Sequence, residues 1–343
     1  MKPSLTLALS LLLATSLPLH AQDSTRISPL HISIVTPLGT NGMQSWNTTN
    51  IISVNLFAGY SGGLKGIEFG GFANALKGDM NGIQVAGFCN NTLGRANGLE
   101  IAGFWNFNKG KINGLQLSGF ANAALDTVNG FQGAGFVNYA NGSTNGQASG
   151  FANICTRDLS GIQASGFFNY ARKLRGVQIS VFNVADTVER GIPIGFLSFV
   201  RNGYKVIQIG GNETLFGEIS FKTGVRKFYN ILSVGATVKD EQVKWGFGYG
   251  IGTLVPLGKR LDMSLEAECY EINEDVWFTD DLDILNRLNV ALSYNLTRSL
   301  GVYAGASWNV HIIEDDWHEG DHYDCNSEVS MYPGFTAGVR VGF

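Results

Sequence analysis

Two histidines, His318 and His322, stand inside the stretch EDDWHEGDHYD (314–324). With Asp315, Asp316 and Asp321 they form a group of carboxylates and imidazoles of the kind that holds a divalent cation. The spacing matches no calcium loop, so the expectation is a solvated acidic loop without a resident cofactor. A second group is spread over alternating segments: Asp262, Glu266 and Glu268, then Arg287, His311 and Arg340. Each stands in phase with small or polar residues and out of phase with an apolar row. Such charges lining a low-dielectric wall set ion selectivity in a pore, or pair with one another and brace it. His311, next to Asn309 and Ser307, is the one start of a hydrolase site. No serine motif or partner acid marks it, and no enzyme is expected. Cys89, Cys155, Cys269 and Cys325 follow no zinc spacing and read as unpaired.

The elements that must position these groups are strands. Glycine numbers 45, proline 7, and charged residues make up 15 % of the chain. That composition disfavours helices, while the Phe, Val, Ile and Tyr content favours an all-β protein. Net charge is −4, which gives no support for nucleic-acid binding. Residues 1–21 read as a signal peptide, with a basic start, an apolar run from Leu5 to Leu19 and a cleavage site after Ala21. No later apolar run is long enough for a spanning helix.

The dominant feature is a repeat over 62–200. NGIQVAGFCN (81–90) returns as NGLEIAGFWN (97–106), and marker phenylalanines stand at Phe72, Phe88, Phe104, Phe120, Phe136, Phe151, Phe167 and Phe182, spaced by 16 with two slips to 15. Read as one continuous strand, a unit alternates an apolar face (Leu99, Ile101, Trp105, Phe107) with a small or polar one (Glu100, Ala102, Phe104, Asn106). Charges fall in the connections. An apolar face on charge-free strands of about ten residues predicts a transmembrane β-barrel. The competing reading is a β-solenoid, in which identical side chains stack from coil to coil. It puts the phenylalanines and asparagines in internal ladders.

After the repeats the chain alternates clearly. KWGFGYGIGTLVP (244–256) sets Trp245, Phe247, Tyr249, Ile251 and Val255 against a row of glycines, and FTAGVRVGF (335–343) ends on an outward Phe343. Long acidic connections alternate with tight ones, LGKR (257–260) and LTRS (296–299), as outer loops and periplasmic turns do in outer-membrane barrels.

These readings predict one domain over 22–343, a single antiparallel transmembrane barrel of about 16–18 strands. The alternative is a solenoid of about eight 16-residue coils inserted in a smaller barrel of about 8 strands. The repeat form, as in GVQISVFN (176–183), resembles a bacterial surface-repeat family, from which most units depart by the added Gly–Phe pair. The resemblance implies a surface location and assigns no activity or site residue. The expected location is the outer membrane of a Gram-negative bacterium, with lipid and, through the strand ending at Phe343, the barrel-assembly machinery as partners. The expected role is a passive, porin-like pore; the alternative is a structural or adhesive surface protein with a plugged lumen.

Overall fold

A computed structural model describes residues 26–239, 242–274, 282–319 and 322–343; the proposed signal segment lies outside them. The protein is all-β and has two parts: a parallel β-solenoid of about ten coils, and a closed antiparallel barrel of eight strands. The wall therefore has eight strands rather than 16–18, and the repeat block is the solenoid. The second of the two architectures is the one adopted, with one correction: the solenoid is not inserted in the barrel but precedes it, its strands lying within 26–200 and those of the barrel within 204–342.

One coil shows why. Met80–Ala86 forms a strand, Gly87 and Phe88 make a bend, Cys89–Thr92 forms a short strand, and residues 93–95 turn into the next coil. The next unit repeats this directly above, in parallel register: Gln84 opposite Glu100, Cys89 opposite Trp105. Each coil thus contributes one strand to each of two stacked parallel sheets. The bend breaks the period of two. Ala86 and Asn90 both point inward, and Phe88 between them points out. A strand read straight through the bend places the phenylalanine on the inner face. That phase error is what made the unit resemble a membrane-spanning strand.

The interior is narrow and largely polar. Asn74, Asn90, Asn106, Asn122, Asn138, Asn153, Asn169 and Asn183 form a buried ladder, each amide donating to the next Asn carbonyl oxygen at 2.9–3.2 Å. The same amides also donate to main-chain carbonyls of the following coil, such as Asn106 to Leu117 at 2.8 Å. Beside it runs a glutamine ladder, Gln178 to Gln163, Gln147, Gln132 and Gln116, at 2.7–2.8 Å. Buried amides are tolerable because every coil supplies the partner of the one before. Leu64, Met80, Ala96, Ile112 and Val128 close the interior on the turn side.

Two glycine columns set the coil spacing. Gly82, Gly98, Gly114 and Gly130 hold φ between +135° and +156°, and a Cβ on any of them would lie 1.8–1.9 Å from the preceding glycine's carbonyl oxygen. In the bend, a Cβ on Gly87, Gly103, Gly119 or Gly135 would lie 2.0–2.1 Å from the equivalent oxygen. The glycines of the repeat are the condition for coils to approach to hydrogen-bonding distance.

The barrel strands are Tyr204–Asn212, Gly217–Val225, Phe228–Lys239, Gln242–Pro256, Leu261–Glu274, Leu282–Asn295, Leu300–Glu319 and His322–Gly342. The last pairs with the first, Gly342 opposite Val206, and closes the wall. Tight turns at 226–227, 257–260 and 296–299 share one end with both termini of the barrel segment. At the other end, the segment expected as a long acidic loop (313–334) is a β-hairpin, paired as far as Glu319 opposite His322.

Two changes test the coil. Gly98→Ala should cost at least about 3 kcal/mol, because an L-residue must be forced into a glycine conformation against a carbonyl. A thermal melt in detergent reads it, and an unchanged melt would mean that the coils can separate freely. Glu100 replaces glutamine in the ladder, accepting from Gln116 and Thr92, each at 2.9 Å. Burial pushes its carboxyl from an ordinary 4.5 up to about 7. The folded state therefore binds the proton more tightly than the unfolded state. Stability is full below pH 4.5 and falls as pH rises towards 7. At about 1.4 kcal/mol per pH decade the loss is about 3 kcal/mol. Glu100→Gln should abolish this slope and raise the melting temperature at pH 8 while leaving it nearly unchanged at pH 4.5. Equal slopes in the two proteins would refute the assignment.

Candidate functional site

The barrel interior is where the expected chemistry converges. Asp262, Glu266, Glu268, Arg287 and Arg340 all point inward and are buried. Their neighbours explain the glycine row of KWGFGYGIG. A Cβ at Gly248 would lie 2.6 Å from the Tyr270 ring, and one at Gly252 would lie 2.6 Å from the Tyr229 ring. The glycines on one strand make room for tyrosines that cross the lumen from its neighbours.

Three of these charges, with Glu218 and Lys222, sit in two connected groups, while Asp262, bonded by Asn295 at 2.9 Å, and Arg340, 3.5 Å from the Tyr204 hydroxyl, lie at the tight-turn end. In the first, Lys222 Nζ meets Glu266 Oε1 at 2.5 Å, the Tyr229 hydroxyl donates to the same oxygen at 2.6 Å, and Asn289 donates to the other at 3.2 Å. In the second, Arg287 spans Glu268 at 2.7 Å and Glu218 at 3.2 Å, with its guanidinium 4.8 Å from the centre of the Tyr270 ring. Glu218, Lys222, Tyr229 and Tyr270 were not singled out in the sequence. The first two are visible in retrospect as inward positions of GEISFKTGV (217–225).

The end away from the tight turns is also filled. Leu215, in the link 213–216, is fully buried against Tyr270, Ile272 and Leu285. Glu213 of the same link accepts from Asn309 at 2.5 Å and from the Phe335 main chain at 2.8 Å. Lower down, Tyr204, Val206, Tyr229, Ile231 and Leu254 pack across the lumen. Below them, at the tight-turn end, opens a cavity of about 920 Å³ lined by Asp262, Arg226, Arg260, Arg298 and Arg340 among others. An eight-stranded barrel has room for little beyond its own side chains, and here they occupy it.

His311 has an acid partner that the sequence did not reveal: its Nε2 pairs with Asp283 across the adjacent strands. The pair is apart from the two charge groups. The side chains of 314–327 lie outside the described residues, and with them the cation set Asp315, Asp316, His318, Asp321 and His322. Among the described residues no cluster of His, Cys, Asp or Glu is arranged to hold a metal ion. Cys89, Cys155 and Cys269 are free thiols. Burial pushes the Cys155 thiol up to about 11, which makes it a packing group rather than a nucleophile.

The marker phenylalanines are on the outside of the solenoid. Phe57, Phe72, Phe88, Phe104, Phe120, Phe136, Phe151 and Phe167 stack face to face, centroids 4.7–5.2 Å apart and planes within 11°. From Phe72 to Phe167 each stays about 40 % exposed. Phe182 is not in this column. It pairs with Phe168, one position along, and Val181 takes the ladder slot. Phe57, a member that the sequence did not single out, precedes the unit that carries the full Gly–Phe motif.

No protein-family model and no curated protein matches this chain.

Removing Arg287 tests the lumen network. Arg287→Ala leaves Glu218 and Glu268 buried and facing each other, and should cost about 3–5 kcal/mol. The temperature at which the compact barrel band converts to the unfolded one on a gel should drop accordingly. Replacing Glu218, Glu268 and Arg287 together by Gln, Gln and Met should recover most of the loss. Equal loss in the two variants would mean that packing, not charge, sets the effect.

Proposed function

We infer that the barrel is an outer-membrane anchor with a plugged lumen, and that the protein is a structural component of that membrane rather than a pore. The observation that carries this is the paired charge network, crossed by tyrosines and capped by Leu215, filling the barrel from wall to wall. The outer wall supports membrane insertion. Ile219, Val234, Phe247, Leu265, Leu288, Val290, Trp308 and Val339 are exposed and face away from the polar interior. In this reading residues 1–21 are a cleaved export signal, the location is the outer membrane of a Gram-negative bacterium, and the strand ending at Phe343 is what the assembly machinery engages.

The orientation common to such barrels puts both termini and the tight turns on the periplasmic side. The solenoid enters the barrel at Tyr204, at the tight-turn end, so it lies on the periplasmic side. The acidic hairpin at 313–334 then faces the exterior. A porin-like channel needs a continuous aqueous path, and the packed lumen speaks against one. A structural role fits better than a catalytic one, since Glu218, Lys222, Glu266, Glu268 and Arg287 are paired with one another.

Purified full-length protein in a planar lipid bilayer is expected to give no stepwise ionic current, while still showing heat-modifiable gel mobility. Reproducible single-channel steps that scale with salt would restore the pore and reject the plugged anchor.

A further inference from the structure

The phenylalanine ladder ends on the barrel. Its last slots are Val181 and then Phe196, the residues just before the paired Phe182 and Leu197, and the Phe196 ring stacks on Tyr249 at 4.7 Å and 15°. Tyr249 belongs to the outward row of its strand, with Phe247 and Ile251. The contact is fixed by polar bonds: the Tyr249 hydroxyl donates to the Gly195 carbonyl at 3.3 Å, Asn230 donates to that same carbonyl at 2.8 Å, and Thr223 donates to the Ser198 carbonyl at 3.1 Å. Thr223 and Asn230 also stand on the outward rows of their strands. The last coil is therefore seated against the outside of the barrel wall, at its tight-turn end.

The solenoid is amphipathic in cross-section. Exposed Ile67, Ile83, Leu115, Leu117 and Ile162 flank the ladder on the long sheet. Exposed charge lies on the opposite edge, in turns such as 77–79, 93–95 and 109–111. That edge also carries an exposed asparagine ladder, Asn81, Asn97, Asn113 and Asn129, bonded at 2.7–3.0 Å. Stacking explains why the rings are parallel, but it does not explain why a whole edge is left apolar. A contiguous apolar strip of this length on a folded exterior marks a surface that something covers.

We propose that acyl chains cover it: the ladder edge of the solenoid is immersed in the membrane leaflet at the tight-turn end of the barrel, with the charged edge facing water. The proposal rests on the reading of the barrel as a membrane barrel. The stacked column runs from Phe57 to Phe167, and exposed Val181 and Phe196 carry the strip on to Tyr249, where it meets the outward row of the barrel wall. Continuity with that wall favours lipid over a second copy or a separate protein. The solenoid is then an interfacial element that lies along the leaflet without crossing it. The basic turns around the cavity at the junction, Arg226, Arg260 and Arg298, stand where phosphate headgroups would be met.

The test uses wild-type, full-length protein reconstituted in phosphatidylcholine vesicles that contain a diazirine near the acyl-chain terminus. After photolysis, labelled residues are located by mass spectrometry. Adducts are expected on outward barrel residues and on Phe88, Phe104, Phe120 and Phe136, at a yield at least about tenfold above that on residues 109–111 of the charged edge. Labelled barrel residues with a bare ladder would overturn the proposal and leave the membrane barrel standing. No adducts on either part would overturn both. A bare ladder in protein that is dimeric in the same vesicles would assign the strip to a second copy and also overturn it.

Discussion

The approach of one coil to the next, at the spacing a hydrogen-bonded parallel sheet demands, is the constraint on which the rest of the molecule depends. Neighbouring strands in a sheet lie about 4.8 Å apart. The Phe88 and Phe104 rings stand at 4.8 Å, so the aromatic column reports the same repeat as the backbone. At that distance two places in each coil, the strand position of Gly98 and the bend position of Gly103, leave no space for a Cβ. Once the glycines permit the approach, every other choice follows. Like residues mostly stack on like, so an interior amide meets another amide or the carboxyl of Glu68 or Glu100, and an outward ring meets another ring as far as Phe167. The polar interior that would be costly in an isolated sheet becomes a continuous ladder.

The barrel solves a related problem differently. Its interior is also polar, but its neighbours are unlike, so the groups pair by charge. Glycines on the strand Gln242–Pro256 again create room, this time for tyrosines rather than for another backbone. The two parts meet through outward residues of the barrel, Thr223, Asn230 and Tyr249, which are polar at the positions where the last coil covers them. Elsewhere on that wall the outward rows are apolar. The exposed strip of the solenoid is apolar as well.

Much of this was legible in the sequence. The all-β class, the inward placement of Asp262, Glu266, Glu268, Arg287 and Arg340, and the outward row from Trp245 to Val255 all follow from the period of two. The location of the tight turns at 257–260 and 296–299 was also readable. The architecture of the repeats was not. Gly103 and Phe104 form a bend, and alternation alone cannot distinguish a bend from two more strand residues. The apolar exterior of the coils, with Trp105, Val137 and Phe168 facing out, argued for lipid contact and so for a wall. Pairing partners were invisible for a different reason. The meeting of His311 with Asp283 and of Lys222 with Glu266 depends on strand register, which no local pattern encodes.

The most direct test of the stacked coil is a distance between equivalent residues of adjacent units. Asn97 and Asn113 are exposed, in register and hydrogen-bonded to each other at 2.7 Å. Spin labels would be placed at these two positions in full-length protein in which the native thiols are replaced by alanine. Stacked parallel coils predict strong dipolar broadening, from labels within about 10 Å. If each unit were instead one antiparallel strand of a wall, the two labels would sit at opposite ends of neighbouring strands, more than about 20 Å apart, and the spectrum would show no broadening.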